Sequence, residues 1–152
     1  MGAASRDFNC VAVQMPEKNF EYTEKESGVL GKVLRPLIEV EIKGEASEWI
    51  RIENALADTG ADISIIPRDI GDLLIDDVTK GEPYEVKGIV PYAKLIVYIH
   101  QLKFRLNGKE FELPVAISDS NDVPPILGRT KGLDLFDANF SKGEKVKFRW
   151  EE

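Results

Sequence analysis

The sequence predicts a mainly β protein with one or two short helices, and its 152 residues suggest a single domain. Short segments that alternate apolar and polar residues recur from Pro36 to the C-terminus, which is the pattern of half-buried strands. An Asn-Gly pair joins two of these segments and signals a tight β-hairpin. Apolar residues at helical spacing are confined to short stretches.

The first part of the chain divides into a weakly patterned start and a strand-rich continuation. Residues 1–33 include the charged, turn-rich stretch PEKNFEYTEKESG, and we interpret them as an N-terminal arm or an added strand. The folded domain is predicted to span residues 34–152. Two alternating segments open it, PLIEVEI and EWIRIENALAD. Their same-face apolar residues are Ile38, Val40 and Ile42 in the first, and Ile50, Ile52 and Leu56 in the second.

The middle of the chain predicts two hairpins. ISIIP is a short apolar strand, and PRDIGDLLI predicts one helical turn with Pro67 at its start. YEVKGIVPYAKLIVYI predicts two strands around a turn from Gly88 to Pro91. LKFRLNGKEFELP predicts the second hairpin, because Asn107-Gly108 suits a type I′ turn. The alternating apolar residues of this hairpin are Leu102, Phe104, Leu106, Phe111 and Leu113.

Short strands and one helix are predicted for the C-terminal part. VAI and ILG are apolar strands separated by the polar loop SDSNDVPP. RTKGLDLFDANF is the best helix candidate, because Leu133 and Phe136 stand at helical spacing. KVKFRW closes the domain as a strand that places Val146, Phe148 and Trp150 on one face.

The composition excludes several classes of function. A net charge of −7 argues against nucleic-acid binding, which depends on basic patches. With a single histidine, His100, and a single cysteine, Cys10, the chain lacks the ligands of a typical zinc site, and we expect no metal or other cofactor. One cysteine permits no disulfide within the chain, and no apolar run approaches the ~18 residues of a membrane span. We therefore expect a cytoplasmic protein that binds neither nucleic acid nor membrane.

The stretch ALADTGADISIIP, residues 55–67, interrupts apolar sequence with two carboxylates, Asp58 and Asp62. A buried carboxylate must be paired or neutralised. Each of the two residues therefore needs a partner or a function that explains its place in an apolar stretch. Much later, PPILGR repeats an apolar strand that ends in Gly128 and Arg129.

These two motifs resemble those of the retropepsin-like aspartic proteases. In that family an Asp-Thr-Gly triplet follows an apolar strand, and a second apolar strand ending in glycine comes near the C-terminus, often followed by arginine and a short helix. Asp58-Thr59-Gly60 fits the triplet, and Ile126-Leu127-Gly128-Arg129 fits the second motif. The resemblance covers residues 34–150 and implies a small, closed, β-barrel-like fold with one short C-terminal helix. It also implies an aspartic endopeptidase that acts on peptide or protein substrates.

Carboxylate chemistry gives a reason for the Asp58-Thr59-Gly60 triplet that does not depend on the family resemblance. Without metal, His or Cys, peptide hydrolysis needs one carboxylate that takes a proton from water and a second carboxyl group that gives one to the substrate carbonyl. Two carboxyl groups about 3 Å apart cannot both ionise, so they share one proton. The chain has one Asp-Thr-Gly, and Asp119 in SDSND lacks the rest of the motif. A two-fold homodimer in which each subunit supplies Asp58 solves this problem, and the family implies the same arrangement.

The neighbours of Asp58 are assigned supporting roles. Gly60 allows close approach of the backbone, and the family implies that Thr59 hydrogen-bonds across the dimer axis. Ala61 lacks the hydroxyl that would stabilise the ionised carboxylate, so we expect a weakly acidic to neutral pH optimum. The family pattern also pairs Asp62 with Arg129 and gives Asp62 a role in binding the substrate backbone. The alternative for this pair is a purely stabilising ion pair.

A flap over the substrate is also implied by the resemblance. The hairpin of residues 84–99 is in the right order, with Gly88 near its tip, and we expect Gly88, Ile89 and Val90 to bind substrate or support the site. An ordinary hairpin is the alternative interpretation.

Two other functions fit the sequence. A catalytically silent, dimeric module of the same fold could hold an extended peptide by strand addition. A metal-dependent hydrolase would use the many acidic residues, although they lack clustered ligand spacing. The intact Asp58-Thr59-Gly60 triplet favours the protease over both.

Overall fold

The computed structural model describes residues 15–87 and 94–151, and within these ranges the chain is mainly β. One α-helix, α1 (Arg68–Leu74), and two 3-10 turns (Val78–Lys80 and Leu133–Leu135) interrupt the strands. The strands are β1 (Glu17–Glu21), β2 (Thr23–Ser27), β3 (Gly31–Arg35), β4 (Leu37–Lys43), β5 (Ile50–Ala57), β6 (Ser64–Ile66), β7 (Glu82–Lys87), β8 (Lys94–Leu106), β9 (Lys109–Ser118), β10 (Ile126–Leu127), β11 (Asp137–Ser141) and β12 (Lys145–Arg149).

A closed barrel forms the body of the molecule. Its strands follow the order β4-β5-β10-β6-β9-β8, and β8 pairs with β4 to close the ring. β10 is parallel to β5 and antiparallel to β6, and β6 is parallel to β9. β7 extends the sheet beyond β8. The predicted same-face residues of β4, Ile38, Val40 and Ile42, are buried in the interior, which confirms this part of the prediction.

The interior face of β5 differs from the prediction. Ile52 is buried, but Leu56 is half-buried and faces away from the core, and Ala55 and Ala57 point inward instead. The reason is a β-bulge, because two steps along β4 (Ile38 to Val40) match three steps along β5. An extra residue in one strand reverses the faces of the residues beyond it.

The predicted hairpin around Asn107-Gly108 is confirmed. β8 and β9 pair in continuous register up to Leu106 and Lys109. Asn107 and Gly108 both have positive φ, at 49° and 91°, as a type I′ turn requires.

The predicted helical turn after Pro67 is confirmed, but the predicted C-terminal helix is shorter than expected. α1 follows Pro67, where a helical turn was predicted, and it lies at the barrel end to which β6 leads. The predicted C-terminal helix is a single 3-10 turn, Leu133–Leu135, preceded by turn residues 129–132, and the end of RTKGLDLFDANF belongs to strand β11. Phe136, Ala138 and Phe140 all pack on the core at a spacing of two, which is strand periodicity. None of the described helices is long and apolar enough to cross a membrane.

Residues 15–36, the described part of the chain before β4, contain three strands. β1 adds to β12 to give the three-stranded sheet β1-β12-β11, which packs through edge-to-face aromatic contacts. Phe148 lies 5.9 Å from Phe20 and 5.5 Å from Phe136, measured between ring centroids. β2 and β3 form a separate hairpin that pairs with no other strand in the described part of the chain.

Candidate active site

The Asp58-Thr59-Gly60 loop begins where β5 leaves the barrel. The Asp58 N–H donates to the Leu127 carbonyl at 3.1 Å, and the Ala61 N–H donates to the Asp58 carbonyl at 3.2 Å, closing a turn. The Gly60 N–H donates to Asp58 Oδ1 at 2.9 Å and so orients the carboxylate. Asp58 is half-buried, whereas Thr59 and Gly60 are exposed. The loop therefore presents an oriented carboxylate at an open end of the barrel.

Gly60 leaves room for the Asp58 carboxylate. A Cβ on this residue would lie 3.3 Å from Asp58 Oδ1, which is tighter than ordinary van der Waals contact. The carboxylate would have to move by a few tenths of an ångström to accommodate a side chain at this position.

The second motif lies directly against the first. β10 lies between β5 and β6, and residues 128–130 after the strand continue the contact. The Arg129 N–H donates to the Ala61 carbonyl at 2.9 Å, and the Thr130 N–H donates to the Asp62 carbonyl at 3.0 Å. Gly128 has no room for a side chain, since a Cβ would lie 2.6 Å from the Ile63 carbonyl group. The barrel thus brings together the two motifs that the sequence analysis paired.

Ser64 links the segment after the Asp58-Thr59-Gly60 triplet to the Gly128-Arg129 motif, a role that the sequence analysis did not predict. Its side chain is fully buried, and its Oγ accepts the Gly128 N–H at 2.9 Å. This bond links β6 to the start of the Gly-Arg segment. A single polar residue inside the apolar stretch ISIIP was the signal that could have identified it, because buried hydroxyls need a partner.

Asp62 and Arg129 lie close together, as the sequence led us to expect, but neither is buried. Arg129 Nη2 is 3.7 Å from Asp62 Oδ1, and the two side chains are 50% and 88% exposed, respectively. An exposed ion pair at this distance contributes little to stability. Within a single chain, the Asp62 carboxylate is therefore accessible for further contacts.

An apolar cleft of about 560 Å³ opens beside the loop. Its walls come from the Asp58 side of the barrel and from β7, β8 and β9. Asp62 and Glu82 contribute the only carboxylates among its lining residues, and the apolar ones are Ala61, Ile63, Ile65, Val86, Val97, Ile99 and Ala116. Tyr84 also lines it, and the Glu82 carboxylate raises the pKa of this phenol by its charge and by a hydrogen bond.

The predicted flap is described only at its base. β7 pairs with the first part of β8 from Glu82↔Ile99 to Lys87↔Lys94, so the two strands form a hairpin. The residues predicted to bind substrate or support the site from this hairpin, Gly88, Ile89 and Val90, lie outside the described residues. Tyr84, Val86 and Ile96 near the base are exposed apolar or aromatic residues.

Other residues considered from the sequence have structural contacts. His100 Nε2 lies 2.7 Å from the Val78 carbonyl and so fixes the 3-10 turn beside it. Asp119 Oδ1 accepts from Arg68 Nη1 at 2.6 Å. No cluster of three or more metal-ligating side chains occurs in residues 15–87 and 94–151.

Comparison with solved structures identifies the architecture. The chain is similar to a retropepsin-like aspartic protease from Rickettsia conorii, with a TM-score of 0.58 and 15% identity over 91% of this chain and 95% of that one. It also matches EIAV protease in complex with the inhibitor HBY-793, with a TM-score of 0.41 and 19% identity over 62% of this chain and 82% of that one. No family model and no curated protein matches the sequence. The first similarity establishes a retropepsin-like fold.

Proposed function

We propose that this chain, which has the retropepsin-like fold, is an aspartic endopeptidase whose active site forms between two copies. The observation that carries the proposal is the position of Asp58. Its half-buried carboxylate is oriented by the Gly60 N–H at the open end of the barrel, beside an apolar cleft. Such a carboxylate, paired with a copy of itself, has the chemistry that peptide hydrolysis without a cofactor needs.

The reaction uses the two Asp58 carboxyl groups in complementary protonation states. A water molecule between them gives a proton to the ionised carboxylate and attacks the peptide carbonyl carbon, while the protonated carboxyl group gives its proton to the carbonyl oxygen. The resulting gem-diol intermediate breaks its C–N bond as one carboxyl group gives its proton to the leaving amine nitrogen. The other carboxylate takes a proton from a hydroxyl group of the diol, which forms the product acid and restores the shared proton. Because two close carboxyl groups share one proton, both forms are present in the same site.

An apolar row on the outer face of the barrel supports a second copy beside the site. The row consists of Leu37, Leu56 and Ile126, which are directly paired across successive strands, so their side chains share one face. Ile65 pairs with Ile126 and continues this face into the cleft. All four are half-buried and lie outside the hydrophobic core. Asp58 follows Leu56 by two residues. A second copy packed on this row would bury it and bring a second Asp58 towards the first.

The cleft indicates the class of substrate. Its apolar walls suit the aliphatic or aromatic side chain of a peptide held in extended form along β7. The exposed Asp62 carboxylate is available to accept a substrate N–H, and Arg129 Nη2 lies 3.7 Å from it. In the dimer, Thr59 is expected to hydrogen-bond across the two-fold axis. We keep the cytoplasm as the expected location, since a chain with one cysteine suits a reducing compartment.

Cleavage of a diverse peptide library at pH 4–7 tests the proposal. We expect cleavage next to apolar residues, unaffected by a metal chelator, with a specific activity that falls on dilution as dimers dissociate. Sedimentation velocity at the same concentrations gives the dimer fraction. Activity that is lost with a chelator, or that persists in a solution of monomers, would contradict the proposal. Peptide binding without cleavage would favour the catalytically silent module.

Ala61 provides a test of the pH dependence. Ala61→Thr places a hydroxyl near the Asp58 carboxylate, and a hydrogen bond to the ionised form keeps it ionised at lower pH. We expect the acidic limb of the kcat/KM profile to move to lower pH. Ala61→Val is the matched control, because valine has nearly the shape of threonine without the hydroxyl. An equal shift in both variants would assign the effect to side-chain size instead.

A further inference from the structure

The β2–β3 hairpin, residues 23–35, forms an arm that the proposed chemistry does not use. Its two strands pair in register from Thr23↔Arg35 to Ser27↔Gly31. The base of the arm is fixed on both sides, because the Tyr22 N–H donates to the Glu144 carbonyl at 2.8 Å and the Ala57 N–H donates to the Pro36 carbonyl at 3.0 Å. Between these two anchors, the arm leaves the body of the protein.

The tip of the arm is apolar and ordered. Val29 is 91% exposed and Leu30 is 73% exposed. Ser27 Oγ accepts the Leu30 N–H at 3.2 Å and so holds the turn in shape. A Cβ added to Gly28 or to Gly31 would meet no atom within 4 Å, so this chain leaves the space around the turn open. An isolated two-stranded hairpin has marginal stability in water, and two large apolar side chains at its tip suit a further contact.

Strand direction shows where the base of the arm lies. β4 and β5 are antiparallel, and Leu37 at the start of β4 pairs with Leu56 near the end of β5. The base of the arm therefore lies at the barrel end at which Asp58 emerges. Five residues per strand give the arm a length of about 17 Å. A second copy that brings its own Asp58 to this loop approaches the base of the arm.

We infer that the β2–β3 arm is a dimer clamp, whose apolar tip, Val29 and Leu30, packs on the body of a second copy of this chain. The inference rests on the proposed two-chain active site. A two-fold axis near Asp58 makes the contact reciprocal, so each copy receives the arm of the other. The apolar row of Leu37, Leu56 and Ile126 adjoins the arm base, and the arm extends the proposed interface beyond this row.

Removing the apolar tip tests the inference. The variants are prepared in an Asp58→Asn background, so that self-cleavage cannot alter the protein, and the dimer dissociation constant is measured by sedimentation velocity. We expect the double substitution Val29→Ser and Leu30→Ser to raise this constant by about tenfold or more, because each buried aliphatic side chain makes an appreciable contribution. Thermal unfolding at concentrations that keep the chain monomeric should be unchanged.

Leu73→Ser is the matched control. Leu73 is 61% exposed on α1, at the barrel end opposite Asp58. The dimer dissociation constant of the Leu73→Ser variant should therefore equal that of the parent. A dimer of unchanged affinity in the tip variant would overturn the clamp and leave the protease proposal intact. A parent chain that stays monomeric at every concentration would instead contradict the two-chain site, and the clamp with it.

Crosslinking gives an independent measurement. In a Cys10→Ser background, Val29→Cys carries a photoreactive maleimide, and isotopically light and heavy chains are mixed. We expect mixed-isotope crosslinks between chains from position 29, and none from the same label at Leu73→Cys. Crosslinks from position 29 that stay within one chain would overturn the inference.

Discussion

Asp58→Asn is expected to abolish peptide cleavage, with kcat/KM lower by about 10²- to 10⁴-fold or more, the range of a positioned acid–base pair. An amide cannot take the proton from water or pass one to the carbonyl oxygen, and in a homodimer both groups are lost together. The fold should persist, because asparagine has nearly the same shape and its amide oxygen can accept the Gly60 N–H that Asp58 Oδ1 accepts at 2.9 Å. The measurement is steady-state cleavage of one peptide found in the library screen.

Mixing the two proteins tests the two-chain site more sharply. Wild type at constant concentration is mixed with a ninefold excess of Asp58→Asn at concentrations that favour dimers. If each site needs one Asp58 from each copy, random exchange should leave about one tenth of the activity. Activity that is independent of the added variant would place a complete site in one chain.

Asp76→Asn is the control for the loss of a carboxylate. Asp76 is exposed just after α1, at the opposite end of the barrel. We expect its activity to match that of wild type, both alone and in the mixing experiment. Residual cleavage by Asp58→Asn equal to that of Asp76→Asn would contradict the assignment of Asp58.

Gly128→Ala is expected to lower the stability of the folded chain more than the other substitutions proposed here. Its Cβ would lie 2.6 Å from the carbonyl carbon and oxygen of Ile63 and 2.9 Å from the carbonyl oxygen of Ala61. All three atoms belong to the backbone, so no side chain can rotate away. Overpacking of this kind costs about 1–3 kcal/mol, which lowers Tm by on the order of 5 °C in a domain of this size.

The same substitution should also reduce catalysis. Relief of the clash moves β10 away from residues 61–63 and weakens the bonds from Arg129 to Ala61 and from Gly128 to Ser64, at 2.9 Å each. Gly28→Ala is the matched control for the effect on Tm, because a Cβ on Gly28 meets nothing within 4 Å. Calorimetry and the peptide assay measure both effects. Equal Tm values for the two variants would contradict the close packing of the motifs.

Particular residues mark the extent of the sequence-based prediction. Alternation alone identified the buried face of β4, and Asn107-Gly108 identified the β8–β9 turn, because both signals are local. The same method misassigned Leu56, since a bulge on β5 depends on the partner strand. It also extended a helix over residues that form β11, where Phe136, Ala138 and Phe140 satisfy strand spacing against β12.

The features of the candidate site likewise include some that the sequence predicted and others that it did not. Residue type and order were enough to predict the mainly β class, the Asp58-Thr59-Gly60 triplet and its pairing with the Gly128-Arg129 motif. The three-dimensional strand pairing was needed to show that Ser64 joins the two motifs, that Asp62 is exposed beside Arg129, and that the base of the arm lies at the barrel end where Asp58 emerges. These features depend on which strands pair and in which register. The local pattern of any one segment does not specify its pairing with a strand that is distant in the sequence.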